Sequence, residues 1–266
     1  KHIGPSRTLS GITSKAEALG YGLLLKEMEN SSANNVRPLL QWFRSHQVDG
    51  IIWAVPEIAD NRYWLVDVLP EIDIPLIFLT MEKREDINMV SVDNYLGGKM
   101  ATEHLLSLGR KHIGHISGPL DWWEARQRKL GWQDTLTQAG LVFSEQHCAE
   151  GNWSSSSGEK AINQLLESYP EMDAIFVAND QMALSVLREA QCRHLRIPQD
   201  LAVIGFDDLT EAAHFYPSLS TISQNLQLLG EQAVQNVVDR IPLWQAGKSI
   251  TTYSLIIEPT LIVRES

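Results

Sequence analysis

Cysteine is scarce. Cys148 and Cys192 are the only two in 266 residues, and no CxxC spacing joins them. That excludes a disulfide-dense secreted scaffold and a thiolate metal cluster; two lone thiols, buried or half-buried, fit a reducing compartment, with one disulfide left open. Long apolar runs are missing as well. No segment reaches the ~18 consecutive apolar residues of a membrane span, and Lys1-His2-Ile3-Gly4-Pro5 has no apolar run of a secretion signal. Positive charge is in short supply: 22 Lys and Arg stand against 33 Asp and Glu, a formal net charge of −11. A surface that acidic repels phosphates, so these residues are not expected to grip a nucleic acid backbone unaided. Signatures of catalysis are lacking too. There is no GxxxxGK[ST] loop and no strand-borne GxGxxG, and Gly114-His115-Ile116-Ser117-Gly118 has its serine one place too late for GxSxG. His112 and His115 lie three apart on a strand, so they point to opposite faces and cannot share a metal. No catalytic residue, cofactor or metal is expected.

What is present reads as an ordinary globular chain, 44% apolar and 21% charged, with room for two lobes. Short runs rich in Val, Ile, Leu and Phe predict strands at Tyr21–Lys26, Ile51–Ala54, Pro75–Thr80, Val90–Val92, His112–Ile116, Ala174–Ala178 and Ala202–Phe206. Amphipathic stretches lie between them; in Leu96–Leu108, Leu96, Met100, His104 and Leu108 recur every four residues. Strand–helix alternation predicts parallel sheets covered by helices, and continuous apolar strands such as Ile175-Phe176-Val177-Ala178 agree, because they are buried on both faces. Gly109 and Gly140 read as helix stops, and Ser154–Ser157 as cap candidates. Ser6–Leu19 already reads as helix, although a doubly wound lobe normally opens with a strand. Lys83-Arg84-Glu85-Asp86 reads as a solvated charged loop. Composition does not reveal a lobe boundary.

Three polar groups follow predicted strands: Ser117-Gly118-Pro119 before a helix carrying Arg126 and Arg128, Asn179-Asp180, and Asp207-Asp208. Open α/β sheets bind ligands at the carboxyl ends of their strands, so these groups are candidates for one site. Asp180 can equally well cap the next helix, Asn179 less readily, and Asp207 or Asp208 can equally cap its own loop. Carboxylate, guanidinium and amide together suit polyols, since they accept and donate hydroxyl hydrogen bonds. Eight Trp are present; Trp53, Trp122, Trp123 and Trp153 fall near strand ends or loops, where each can cover a sugar ring or simply pack. Trp42 and Trp132 are assigned to the core.

These residues carry a resemblance. The segments Gly4–Ile12, VDNYLGGKMATEHLLSLGRKHIGHISGP (Val92–Pro119), ARQRKLGW (Ala125–Trp132), EGNWS (Glu150–Ser154), ANDQMAL (Ala178–Leu184), IPQDLAVIGFDD (Ile197–Asp208) and TISQNLQLLG (Thr221–Gly230) resemble the effector-binding region of the lactose-repressor/galactose-repressor family. The resemblance implies the periplasmic-binding-protein type I architecture: two similar doubly wound parallel-sheet lobes with a ligand cleft between them. It places one lobe at 1–108 plus 226–253 and the other at 109–222 plus 254–266. It makes Arg128 of R-x-x-G, Asn179 of AND and Asp207 of GFDD ligand contacts, Trp153 an aromatic on the ligand, and Trp122 a residue at a position that specifies it. Gln224 lies near the crossover. Leu96 and Ala54 stand where relatives place polar contacts, so a galactoside is not implied.

The family's N-terminal helix-turn-helix and the opening strand do not occur in these residues, so the chain is expected to be part of a longer regulator. The function implied is that of the effector-sensing domain of a cytoplasmic, homodimeric repressor. It would bind a small carbohydrate and touch operator DNA only through the missing reader. The alternative is an exported sugar-binding protein serving a transporter, which residues upstream of Lys1 would distinguish.

Overall fold

The alternation of apolar runs and amphipathic stretches builds two parallel sheets, in a computed structural model that describes residues 4–28, 36–248 and 251–266. The helices are α1 (Gly4–Ala18), α2 (Val36–Ser45), α3 (Trp64–Val68), α4 (Asn94–Ser107), α5 (Trp123–Gln138), α6 (Ser155–Ser168), α7 (Asp180–Cys192) and α8 (Leu226–Gln245). The strands are β1 (Ile51–Trp53), β2 (Leu76–Leu79), β3 (Met89–Val92), β4 (Ile113–Ser117), β5 (Cys148–Glu150), β6 (Ala174–Val177), β7 (Ala202–Phe206), β8 (Ser220–Ser223), β9 (Ser254–Ile257) and β10 (Thr260–Ile262). The chain divides into two units, Lys1–Val92 with Asn225–Ile257 and Asp93–Gln224 with Glu258–Ser266.

The first unit has sheet order β1-β2-β3-β9, with all neighbours parallel. Along β2, Ile77 and Leu79 join Ile12, Ala16, Leu229 and Ala233, while Leu76 and Phe78 join Trp53, Trp64, Leu40 and Met89. Both faces are thus buried, which is why the strand reads as an unbroken apolar run. The second unit has order β10-β8-β7-β6-β4-β5, parallel except for β10 against β8. On β6, Ile175 and Val177 face Ala183, Val186 and Leu165, whereas Ala174 and Phe176 face Trp132, Ala101 and Leu105.

Two expectations about the division of the chain are corrected. The first crossover falls at Val92–Asp93, not after residue 108, because Ala101 and Leu105 of α4 pack on Trp132 of α5 and Phe206 of β7. Strand β9 belongs to the first unit, where it pairs with β3 from Met89↔Ser254 to Val92↔Ile257. The expected strand Tyr21–Lys26 is not a strand. A strand needs a neighbour, and among the described residues none pairs with it; Leu23, Leu24 and Leu25 are exposed. Trp42 is half-buried against Phe43 and His46 instead of lying in the core, and Cys192 is exposed.

Other details follow the local chemistry. Gly109 (φ 81°) and Gly140 (φ 73°) end their helices in the left-handed region that glycine enters without strain. Ser154 caps α6 by accepting from Ser157 N. His115 is buried between Trp132 and Phe176, and burial pushes it down to about 3, whereas His112 is exposed.

Candidate functional site

Five neighbouring strands of the second unit, β8, β7, β6, β4 and β5, end in the segments that hold or lead to the expected site residues. Strands ~4.8 Å apart bring residues distant in sequence to one edge. The backbone there is unusual: Trp153 (φ 70°), Asp207 (φ 110°) and Asp208 (φ 51°) are three non-glycine residues at positive φ. Such conformations persist where the surroundings enforce them, and they concentrate at functional sites.

Arg128 projects from α5 and is buried. Its Nε donates to Asn94 Oδ1 at 2.8 Å and its Nη1 to the Ala178 carbonyl at 2.5 Å. The guanidinium carbon stands 3.7 Å from the Phe206 ring centroid. Nη1 lies 3.7 Å from Asp207 Oδ1, the nearest carboxylate. Burial lowers the Arg128 pKa, opposed by Asp207, Glu124 and Asp180. The glycine of R-x-x-G has a packing reason: a Cβ on Gly131 would come 2.3 Å from the Tyr95 carbonyl, and one on Gly98 2.3 Å from that of Arg128. Only bare backbone lets α4 and α5 approach closely enough to put Asn94 on Arg128.

Asp207 and Asp208 separate in function. Asp207 Oδ1 accepts from Gln224 Nε2 at 2.5 Å, and the carboxylate stays partly open, 17% exposed. Asp208 is bound by Arg264 at 2.8 Å. Asn179 is the cap of α7: its Oδ1 accepts from Met182 N at 2.9 Å and its Nδ2 donates to the Trp153 carbonyl at 3.0 Å. One amide hydrogen and one lone pair are all that remain for a ligand. Asp180, the other cap candidate, instead accepts from Leu209 N and Thr221 Oγ1, tying α7 to β8 and to the loop after β7, and burial raises it to about 8.

Trp153 is 7% exposed and lies against Gly118, where a Cβ would come 2.1 Å from the ring. Trp122, half-buried at the cap of α5, meets it edge-on with centroids 5.7 Å apart. The second unit thus brings Arg128, Asp207, Gln224, Asn179, Trp153 and Trp122 to one edge.

Sequence reasoning missed two residues. Asn94 opens α4 and holds Arg128, and half-buried Glu124 precedes Arg128 by one helical turn. Burial raises Glu124 to about 7, with Arg128 pulling down and Asp207 pushing up. The i, i+4 spacing was the available signal for Glu124; nothing local marked Asn94. Among the described residues no group of His, Cys, Asp or Glu fits a metal ion.

Comparison with known proteins places these features in a family. Residues 102–266 match the family model of the periplasmic binding protein-like domain. The chain is 33% identical over 228 residues to the HTH-type transcriptional regulator CelR of Thermobifida fusca, covering 85% of this chain and 65% of that protein. It is 30% identical over 252 residues to the lactose operon repressor of Escherichia coli (strain K12), covering 95% and 68%. Among solved structures, a CelR–cellobiose complex superposes with TM-score 0.87 at 29% identity, over 100% of this chain and 79% of that one. A dimeric Lac repressor with a C-terminal deletion gives 0.86 at 28%, over 99% and 94%.

Proposed function

We propose that this chain, which belongs to the lactose-repressor/galactose-repressor family of transcriptional regulators, is the effector-sensing part of a repressor and binds a small saccharide at the carboxyl edge of its second unit. The observation that carries the reading is the Arg128–Asp207 pair. A guanidinium fixed on Asn94 and Ala178 stands 3.7 Å from a partly open carboxylate that Gln224 holds. A donor fork beside an acceptor suits adjacent hydroxyls of one ring. Trp153 and Trp122 supply the apolar contact. Asn179 and Gln224 act chiefly by positioning Trp153 and Asp207, with what remains of the Asn179 amide open to the ligand. The chain catalyses no reaction in this reading and requires no cofactor. It works in the cytoplasm as a homodimer, with operator contact made by a helix-turn-helix reader outside these residues, in keeping with the net charge of −11. Ligand binding shifts the balance between conformers and so the affinity for DNA. The exported transport protein gains no support from relatives that are regulators.

A thermal-shift panel of mono- and disaccharides, beginning with cellobiose, tests the reading. A saccharide at 100 times its dissociation constant adds about 2.7 kcal/mol, a rise of several degrees. Asp207→Asn keeps the bond from Gln224 and leaves folding nearly unchanged, but weakens the saccharide roughly 10- to 100-fold. Asp208→Ala does the reverse: it loses the Arg264 ion pair, lowers the unfolding temperature and retains the response. Normal saccharide binding by Asp207→Asn would sink this site.

A further inference from the structure

The first unit has its own polar group, at the carboxyl ends of β1 and β2. Buried Glu57, four residues past β1, accepts from Glu82 N at 2.8 Å and from Arg84 Nη2. The charged loop around Arg84 is therefore not simply solvated, as its sequence implied; Arg84 reaches inward and is one-third exposed. Arg62, which feels both charges of this pair, is 4% exposed; its Nη2 donates to the Val55 carbonyl and its Nη1 to Asn61 Oδ1 at 3.2 Å.

Two imbalances follow. The first is of donors. Arg62 Nε, Trp53 Nε1 and Trp64 Nε1 are buried without a hydrogen-bond partner. All three surround Phe78: the two indole centroids are 6.2 and 5.9 Å from its ring and 5.0 Å from each other, and the Arg62 guanidinium is 5.8 Å away. Indole and guanidinium can only donate, so each of the three is open to an acceptor that a ligand brings. The second imbalance is of charge. Two guanidinium groups stand against one carboxylate, and Glu57 binds Arg84, whereas the hydrogen-bond partners of Arg62 are neutral oxygens. Burial lowers Arg62 to about 10, with Glu57 opposing and Arg84 adding to the fall. The nearby carboxylates Asp60, Glu82, Glu85 and Asp86 are exposed, and none pairs with either arginine among the described residues. A buried cation without a matching anion is costly.

We infer that the first unit carries an anion site, in which Arg62 and Arg84, with indole donors beside them, receive a carboxylate or phosphate group of a small ligand. A neutral hydroxyl would satisfy donors but leave the charge; an anion satisfies both. Only Nη2 of Arg84 is engaged, so the rest of its fork is available, and its partial exposure gives the entry. The inference rests on no residue of the saccharide site, and the two stand or fall separately.

Isothermal titration of the whole chain with inorganic phosphate, D-gluconate and D-glucose tests it. Phosphate or gluconate binds with one site per chain and glucose adds nothing there; which anion binds identifies a phosphorylated ligand or a sugar acid. Arg84→Gln and Arg62→Lys each weaken the anion roughly 10- to 100-fold. Arg62→Lys keeps the charge and so guards against a result due to misfolding, which circular dichroism monitors. Lys83→Gln removes an exposed positive charge from the same loop and leaves affinity unchanged. The inference is overturned if neither anion binds the parent up to about 10 mM, tenfold above a millimolar dissociation constant. It is equally overturned if both arginine variants bind like the parent. In either case any saccharide response of the second unit is unaffected.

Discussion

Glu124 shows how one residue couples a site to pH. Its carboxyl stands at about 7 against a usual 4.5, because burial and Asp207 favour the protonated form more strongly than Arg128 favours the ionised one. An acid whose pKa is raised on folding contributes stability that is complete below its unfolded value and is lost as pH rises through its folded value. Stability should therefore fall between pH 4.5 and 7, where the unfolded state ionises while the native state keeps its proton. Glu124→Gln removes this loss, and the variant should gain on the order of 1–3 kcal/mol over the parent at pH 8 relative to pH 4, read by urea denaturation. A residual slope remains from Asp180, raised in the same direction. Equal parent–variant differences at both pH values would contradict this assignment. Arg128 serves the fold as well as the site. An alanine at Arg128 looks harmless to folding if the side chain faces only ligand. In the structure it would remove the hydrogen bonds to Asn94 Oδ1 and the Ala178 carbonyl and the guanidinium packed on Phe206, so the milder Asp207→Asn is the informative change.

Among elements, the crossing of α4 and α5 sets the position of Arg128. Gly131→Ala places a methyl 2.3 Å from the Tyr95 carbonyl, which cannot swing aside as a side chain would. Overpacking of this kind costs roughly 1–3 kcal/mol, and here it also pulls Asn94 from Arg128. The unfolding midpoint and saccharide affinity should fall together; a variant that unfolds and binds like the parent would separate the crossing from the site. Sequence revealed these elements unevenly. β2, β6 and β7 were legible because strands buried on both faces read as unbroken apolar runs. β8, Ser220-Thr221-Ile222-Ser223, was not, because its buried hydroxyls pair with Ser266 and Asp180 instead of showing as apolar character. β5, β9 and β10 lie at sheet edges, where no apolar run buried on both faces is needed. Tyr21–Lys26 erred the other way, since strand-like composition supplies no neighbour.

At the scale of the whole molecule, the two-lobed α/β class was legible from alternation and resemblance, while composition did not mark the crossovers. Each is a single peptide step, at Val92–Asp93, Gln224–Asn225 and Ile257–Glu258, with no glycine or proline run to mark it. The first unit takes its α8 and β9 from residues beyond the second unit. The second unit is closed in turn by the segment from Glu258: Arg264 binds the Leu219 carbonyl and Asp208, and Ser266 Oγ donates to the Val203 carbonyl while accepting from Ser220 N.

That interleaving has a consequence for the chain as it leaves the ribosome. Residues up to Val92 emerge first but have no α8 to cover Ile12, Ile77 and Val90, and no β9 to pair the edge of β3. Residues 93–224 must then be made, which takes roughly 7–25 s at common elongation rates. During that interval an apolar sheet face and an open strand edge are presented to solvent, the conditions in which nascent chains aggregate or recruit chaperones. Chains arrested at residue 224 should be cut by protease within residues 36–92, and chains extended past Ile257 should become resistant there. Protection already present at residue 224 would mean that the first sheet folds without its last helix.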